Sequence, residues 1–440
     1  MTMTSFSRNS ELEETALSRS ASSEIQAGAI AFPFFRRTRW PVLIFPLLFL
    51  LVSAGELRAQ DRKPDEVIES VRAVDKTTIH THLGRGPLSG VLSPYDDFLD
   101  RIREKYAVGF AVAYSPIYQF GGPCGSDNMT LNHELSIFAD WTVFDHPIFG
   151  KGRFDLYFFH QADRLIGTSA SDFADHVGSS WLLSNVETVT SLATLWWEQL
   201  LFDGHLDITI GQLDPTLLFD VNKYAGWDRV SFLATPVSGN PARVFETPGL
   251  GLYVEVLDSE IGYVIGTVMD ADADGRYPDF ESLGNGRWAY FLELGLTPMI
   301  PSLGRLELGV TLSATDETKD GPASRAALVS LSQDIGDRYA VFLRYGHNDG
   351  KRDGIEQMAS TGIVFKGIFG FANDWIGASI MWARPTESGL RDQYGIETYW
   401  RLQLTERIQL TPDLQVIIHP TYRSHAKAEV VGSLRLFFSL

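Results

Sequence analysis

The chain has 440 residues, a formal net charge of −18 at pH 7, 12% aromatic residues and a single cysteine. The acidity, together with the lack of a Lys/Arg cluster after the N-terminal region, excludes nucleic acid as a partner, because phosphate binding depends on basic patches. The single cysteine, Cys124, excludes an internal disulfide framework.

The N-terminal region has the pattern of an export signal. Three arginines within positions 36–39 precede an apolar run over 41–52, and this run is shorter than the roughly 20 residues that a membrane-spanning helix needs. Small or cleavable residues follow as far as Ala59, so we expect a cleaved leader over 1–59. An uncleaved inner-membrane anchor is the alternative that the pattern leaves open.

Residues 60–105 are charged, and we assign them to a periplasmic N-terminal segment. Pro94 begins a stretch in which Tyr95, Leu99 and Ile102 recur at helical spacing. This spacing predicts a short amphipathic helix. The helix either covers the periplasmic mouth of a barrel or is a simple surface helix.

Alternation with a period of two recurs from Tyr106 to the C-terminus, as in strands with one apolar face. Leu306, Leu308 and Val310, for example, alternate with charged or small residues. A half-buried soluble sheet gives the same alternation, so the number of strands is the better criterion. We expect about sixteen, an even count as in closed bacterial barrels, near 106–118, 133–146, 150–163, 192–202, 205–213, 249–258, 261–269, 286–299, 303–314, 324–334, 337–347, 357–366, 373–384, 393–406, 409–419 and 427–439.

The predicted connections alternate in length. Tight ones, such as the hairpin turn at Asp203-Gly204, alternate with long ones, such as 164–191 and 214–248. Short periplasmic turns and long external loops are typical of outer-membrane barrels. The sequence therefore predicts an all-β protein in which residues 106–440 form a transmembrane antiparallel β-barrel of about 16 strands, with a short helical segment before it.

The resemblance to a known family is clearest near the C-terminus. The motifs that carry it are Glu397–Thr405, Leu410–Pro420 and Glu429–Phe438, with further likeness at Gly211–Pro215, Phe219–Asn222, Phe232–Ala234, Gly249–Gly251 and Phe342–Gly346. Over residues 106–440 the chain resembles the carbohydrate-selective porins of the OprB family. The resemblance implies a cell outer membrane location, inward-folded loops and a pore that admits small, glucose-like sugars without a required cofactor. The chain departs from the pattern at Ser439-Leu440, where similar barrels offer an aromatic residue to the barrel-assembly machinery.

Charged residues that alternate with the apolar ones are expected to point into the lumen. A charge on the lipid face costs roughly 2–4 kcal/mol at the membrane midplane, and a sugar pore needs polar groups that replace the hydration of its solute. We expect sugar contacts first from Glu397, Arg401 and Gln403, and next from Arg344 and Glu293. The alternative is that these residues form a structural ion-pair ladder. The other residues expected in the lumen are Glu255, Arg305 and Glu307, with Asp140, Asp155, Gln161, Glu198, Asp207 and Arg435.

The long 214–248 connection is expected to narrow the pore. Its candidate constriction residues are Asn222, Trp227, Asp228 and Arg229.

An acidic stretch matches the pattern of a calcium-binding loop. Asp270, Asp272, Asp274 and Glu281 stand at its acidic positions, and Gly275 stands where the loop turns sharply. Strands rather than helices are expected on both sides, so a solvated acidic loop is the alternative. Bound calcium would order the loop rather than take part in transport.

Other functions fit the sequence less well. The chain has neither a Gly-x-Ser-x-Gly elbow nor a His-Glu-x-x-His motif, so we do not expect an enzyme. A general or anion-preferring porin and an exported soluble β-rich sugar-binding protein remain as alternatives.

Overall fold

The computed structural model describes residues 81–84 and 89–440, except 124, 126, 180, 182–186, 227–228, 259–260 and 353. The expected leader over 1–59, most of the segment before the helix, and Cys124 lie outside the described residues.

The described chain forms a closed sheet of sixteen long antiparallel strands. Each strand pairs with its neighbours in the chain, and the last strand pairs with the first, which closes the ring. This confirms the predicted barrel. A two-residue strand, Met299–Ile300, adds one short pairing at a turn. The sixteen strands are β1 (Val108–Gly121), β2 (Met129–His146), β3 (Gly150–Gly167), β4 (Val189–Leu201), β5 (Leu206–Leu213), β6 (Gly249–Asp258), β7 (Gly262–Asp270), β8 (Trp288–Leu296), β9 (Gly304–Thr315), β10 (Ser324–Ile335), β11 (Tyr339–Asn348), β12 (Ile355–Lys366), β13 (Trp375–Pro385), β14 (Gln393–Thr405), β15 (Ile408–Ile418) and β16 (Ala428–Ser439).

Helices occur before the barrel and in its long connections. They are α1 (Ser89–Tyr106), α2 (Ala170–Val177), α3 (Pro215–Leu218) and α4 (Thr235–Ser238), with short 3₁₀ turns at Ser282–Asn285 and Ile368–Gly370. The first confirms the helix predicted ahead of the barrel. None of the helices in the described part of the chain is both long enough and apolar enough to span a membrane.

Each strand separates an apolar outer face from a mixed inner face. In β8, for example, Leu292 and Leu294 are exposed on the outside of the barrel, whereas Phe291 and Glu293 are buried inside it. Contact with lipid favours this arrangement, because the hydrocarbon layer accepts aliphatic side chains and penalises charges. The charged residues expected in the lumen all lie on the inner faces of their strands.

The C-terminal residues complete the closure. Val112 and Leu440 exchange backbone hydrogen bonds of 3.0 and 2.8 Å, and the ring of Phe438 lies 6.3 Å from that of Tyr114. The departure from the family pattern at Ser439-Leu440 therefore leaves the strand pairing intact.

Strands β2 and β3 extend further toward the long-loop end than the alternation predicts. β2 begins at Met129 rather than near 133, and β3 ends at Gly167 rather than near 163. The residues added to β3, 164–167, no longer alternate between apolar and polar, whereas those added to β2, 129–132, still do. Such a change is expected where strands project beyond the apolar layer of the membrane.

The N-terminal segment is fastened to the short-turn end of the barrel. The backbone N–H of Leu83 donates to the carbonyl of Leu404 at 2.9 Å, and His82 Nε2 lies 2.6 Å from Asp374 Oδ2. In α1, Asp96 forms an ion pair with Arg407. These contacts hold α1 at the periplasmic rim.

Candidate functional site

The connection 214–248 between β5 and β6, here called the inner loop, folds into the barrel. Its backbone and side chains form hydrogen bonds with inward-facing residues of β2, β8, β10, β11, β14 and β16. A loop tied to the wall at this many points narrows the lumen at a defined level. The inner loop is therefore the natural centre of a functional site.

Arg344 on β11 is the most extensively bonded anchor of the inner loop. It donates to the carbonyl oxygens of Ala225 and Val237, each at 2.9 Å, and to that of Asp220 at 2.6 Å. Its guanidinium also forms an ion pair of 2.5 Å with the Asp220 carboxylate. Only 1% of Arg344 is exposed. A buried cation with these partners is stable only while the loop is docked.

Two wall carboxylates bind backbone N–H groups of the inner loop. Glu397 on β14 accepts from Leu233 at 2.5 Å and from Ala234 at 3.2 Å, while Glu293 on β8 accepts from Asp220 at 2.8 Å. Both carboxylates are almost fully buried, with 0% and 2% exposed. They satisfy loop donors that would otherwise be buried without an acceptor.

The predicted constriction residues that the structure describes contribute to this docking. Arg229 pairs with Glu134 on β2 at 2.5 Å. Asn222 donates to Ser330 Oγ and to the Leu331 carbonyl, each at 3.1 Å. The other two, Trp227 and Asp228, lie outside the described residues.

Apolar packing reinforces the polar anchors. Phe232 of the inner loop is fully buried, and its ring lies 4.8 Å from Tyr399 in an edge-to-face arrangement and 5.3 Å from Phe342. Gly377 lies beneath this contact, and a Cβ there would overlap the Tyr399 and Phe232 rings. Glycine is needed here because the loop packs so closely on the wall.

These contacts correct part of the sequence-based assignment. Glu397, Arg344 and Glu293 were expected to touch sugar, but the inner loop covers them and takes up their hydrogen bonds. Gln403 is also occupied, since its side chain donates to the Thr405 carbonyl at 2.6 Å and accepts from Gln409 at 2.9 Å. Of the five residues favoured for sugar contact, this leaves Arg401.

The remaining predicted lumen residues have local partners on the wall. Glu255 accepts from the Tyr253 hydroxyl at 2.7 Å. Arg305 donates to the Thr297 carbonyl at 3.4 Å, and Glu307 accepts from Ser332 at 3.1 Å.

A polar and aromatic group lies on the periplasmic side of the inner loop. Lys366, Trp375 and Arg401 pair directly across β12, β13 and β14. Tyr224 of the inner loop packs against Trp375 with ring centroids 5.7 Å apart, and its hydroxyl donates to Asp334. Sequence reasoning missed all of these except Arg401, although Trp375 is the third residue of the strand predicted over 373–384 and faces inward.

On the external side, the inner loop borders a cavity of about 410 Å³. The cavity lies between the return limb of the inner loop and the connections after β9 and β11. Its charged lining residues are Arg243, Glu246, Asp320, Lys351 and Arg352. The inner loop thus has this cavity on its external side and the group of Lys366, Trp375 and Arg401 on its periplasmic side.

The acids of the calcium-loop pattern do not converge on one point. Asp274 forms an ion pair with Arg276, and the hydrogen bonds that Arg276 donates hold the pKa of Asp274 below its ordinary value. Asp272 lies 3.4 Å from Arg287. Within the described residues no group of three or more His, Cys, Asp or Glu side chains has the arrangement of a metal site. This geometry gives the calcium prediction no support.

Comparison with known proteins agrees with the barrel. A family model described as carbohydrate-selective porin, OprB family, matches residues 308–440. The chain is a β-barrel porin whose C-terminal part matches the OprB family. A solved high-pH structure of Pseudomonas putida OprB superposes on this chain with a TM-score of 0.66, at 15% identity, covering 83% of this chain and 100% of that chain. A low-pH structure of the same protein gives a TM-score of 0.53 at 14% identity, covering 79% and 97%. At these identities the structures support the fold alone.

Curated relatives of this chain are porins. Porin AaxA of Chlamydia abortus is 24% identical over 316 residues, covering 68% of each chain. Porin AaxA of Chlamydia pneumoniae is 26% identical over 320 residues, covering 68% of this chain and 70% of the relative. The protein is accordingly an outer-membrane channel, and its family and fold indicate a channel rather than an enzyme.

Proposed function

We propose that the protein lets small sugars of about monosaccharide size diffuse passively across the outer membrane, with glucose-like sugars as representative solutes. The observation that carries this proposal is the carbohydrate-selective family match over residues 308–440. That segment includes β14, from which Glu397 holds the inner loop and Arg401 faces the lumen.

The geometry of the inner loop supports selection by size and by weak polar contact. A loop clamped by Arg344, Glu293 and Glu397 keeps the passage narrow, so a large solute would meet a fixed obstacle rather than a mobile segment. Polar and aromatic groups on either side supply hydrogen bonds and stacking surfaces for sugar rings. Transport requires these contacts to be weak, because a solute that binds must also leave.

The proposal includes two partners besides the solute. The apolar outer face would contact outer-membrane lipid, and the barrel-assembly machinery would insert the chain. A general or anion-preferring porin is the competing function. Inward-facing cations such as Arg401 support a preference for anions.

Single-channel recording of the purified mature protein in a planar bilayer tests the proposal. Discrete conductance steps that glucose blocks in a concentration-dependent manner are expected. Steps that no sugar affects would establish a general porin instead. A protein that never inserts would contradict the channel itself.

A further inference from the structure

Arg401 differs from the other buried or partly buried arginines that face the lumen. Arg344 and Arg229 bind carboxylates or backbone carbonyls through their terminal N–H groups. Among the described residues, by contrast, none accepts a hydrogen bond or forms an ion pair with the Arg401 guanidinium. The Nε of Arg401, like that of Arg344, is buried without a hydrogen-bond partner, so the difference lies in the terminal N–H groups.

The surroundings of Arg401 hold its guanidinium in place. The guanidinium carbon lies 3.9 Å from the centroid of the Trp375 ring, and the two residues face each other directly across β13 and β14. A guanidinium that stacks on an aromatic face keeps the N–H groups at its edge free for hydrogen bonds in its own plane. Trp375 therefore positions the Arg401 guanidinium without accepting a hydrogen bond from it.

The neighbouring acidic groups are already occupied. Asp374, the residue before Trp375, lies 2.6 Å from His82 Nε2 and accepts from the Gln403 N–H at 2.9 Å. Asp334 is shared by two lysines, at 3.3 Å from Lys223 and 3.1 Å from Lys366. Glu307, also on the inner wall, accepts from Ser332. The positive charge of Arg401 thus has no local counter-charge in contact with it.

We infer that Arg401, stacked on Trp375, is a solute-binding residue that receives the carboxylate of an acidic monosaccharide, such as a hexuronate, through paired N–H···O bonds. A carboxylate matches the planar fork of a guanidinium, and a single unpaired cation matches a monoanion. Lys366, on the strand next to Trp375, and Asp334 on β10, which lies 3.1 Å from Lys366, are placed beside Tyr224 to bind hydroxyl groups of the same sugar. This inference rests on the proposed function and specifies the solutes that the pore prefers.

Current block in a planar bilayer by glucuronate, glucose and glucose 6-phosphate tests the inference on the full mature protein. Glucuronate should bind more tightly than glucose in the unmodified protein. Arg401→Gln should lower the glucuronate binding constant about tenfold or more, since a charged hydrogen bond contributes about 1.5–3 kcal/mol and 1.4 kcal/mol is a factor of ten. Glucose block should change by less than about twofold, because a neutral sugar forms no bidentate ion pair with the guanidinium.

Three further variants separate the specific contact from general electrostatics. Arg305→Gln removes the same charge from the inner wall of β9 and should leave glucuronate block nearly unchanged. Arg401→Lys keeps the charge but loses the planar fork and should recover only part of the affinity. Trp375→Leu should weaken glucuronate block less than Arg401→Gln. Heat-modifiable mobility in gels confirms that each variant is a folded barrel.

The possible results distinguish this inference from the proposed function. The specific role of Arg401 would be overturned if Arg401→Gln and Arg305→Gln lowered the glucuronate binding constant equally. It would also be overturned if Arg401→Gln lowered the binding constants of glucose and glucuronate equally. Tighter block by glucose 6-phosphate would overturn the assignment of a carboxylate. If glucose blocks the channel but glucuronate binds no better, only the inference fails, whereas indifference to every sugar removes the proposed function as well.

Discussion

Arg344→Met should release the inner loop from the wall without unfolding the barrel. The substitution keeps most of the side-chain volume but removes every hydrogen-bond donor. It leaves the Asp220 carboxylate and the carbonyl oxygens of Asp220, Ala225 and Val237 without this partner. The lipid-facing side of β11 is untouched, because the next residues along the strand point outward.

The expected cost follows from the burial of the ion pair. Removing one partner of a buried pair costs about 3–5 kcal/mol when the other charge is left uncompensated; here the Asp220 carboxylate keeps a longer ion pair of 3.8 Å with Arg243. Because 1.4 kcal/mol is a factor of ten in an equilibrium constant, this raises the undocked population of the loop by roughly 10²–10³-fold. Glu293, Glu397 and Phe232 retain their own contacts, so the lower end of this range is expected.

Trypsin reports the undocked state. Arg229 and Arg243 are both potential cleavage sites within the inner loop, and their side chains are only 4% exposed when it is docked. When opening and closing are fast, the cleavage rate follows the open population. Cleavage within 214–248 should therefore accelerate by about two orders of magnitude in Arg344→Met. Arg305→Met is the matched control, because Arg305 faces the lumen but contacts only a turn carbonyl.

Equal cleavage rates in Arg344→Met and the unmodified protein would refute the reasoning, provided that both migrate as folded barrels. Equal acceleration in Arg305→Met would attribute the effect to the lost lumen charge rather than to loop docking.

Three further perturbations test other parts of the structure. Gly377→Ala should displace the inner loop from Tyr399 and raise trypsin cleavage, and an unchanged rate would show that this contact is not tight. Burial raises the pKa of Asp214 from 3.8 to about 6, although hydrogen bonds from Thr216 oppose the shift. The folded state therefore holds this proton more tightly than the unfolded state. The stabilisation by protonated Asp214 is full below about pH 4 and is lost as the pH rises through about 6. Asp214→Asn should therefore raise the thermal midpoint in detergent more at pH 7 than at about pH 4, and an equal effect at both would contradict the burial argument. Glu198→Ala removes an ion-pair partner of Arg153, whose Nε also lies 3.2 Å from Asp155. It should lower the free energy of unfolding by up to about 3–5 kcal/mol, with a smaller loss for Glu198→Gln, and equal losses in the two variants would mean that the charge of Glu198 does not matter.

The barrel was largely predictable because its pattern is local. Alternation along a strand decides which side chains face lipid, so β8 and β11 were assigned with the correct faces from their own residues. The end of β3 was placed too early because the pattern ceases where the strand leaves the apolar layer, while the start of β2 was placed too late although the alternation continues back to Met129. The two-residue strand Met299–Ile300 carries too few residues to show any period.

The site was less predictable because its partners are distant in sequence. Glu397 binds N–H groups of residues 233 and 234, and Arg344 binds carbonyls between 220 and 237. An inward-facing charge looks the same in the sequence whether a loop covers it or solute reaches it. The inner loop alone decides that Glu397 is an anchor while Arg401 stays open. Trp375 contacts Arg401 only because the two residues pair on the neighbouring strands β13 and β14.

The helices of the inner loop were also not predicted. Helices α3 and α4 each span four residues, too few for a hydrophobic period to appear. Their proline residues, Pro215 and Pro236, stand in the first turn of each helix, where proline is favoured, and this was the signal available in the sequence.

Liposome swelling with sugars of increasing size tests the central claim most directly, namely that a clamped inner loop gives a narrow pore for small sugars. Proteoliposomes should swell rapidly in monosaccharides, slowly in disaccharides and hardly at all in trisaccharides, and Arg344→Met should relax this size limit. Swelling that does not depend on sugar size, or a size limit that survives release of the loop, would contradict the account.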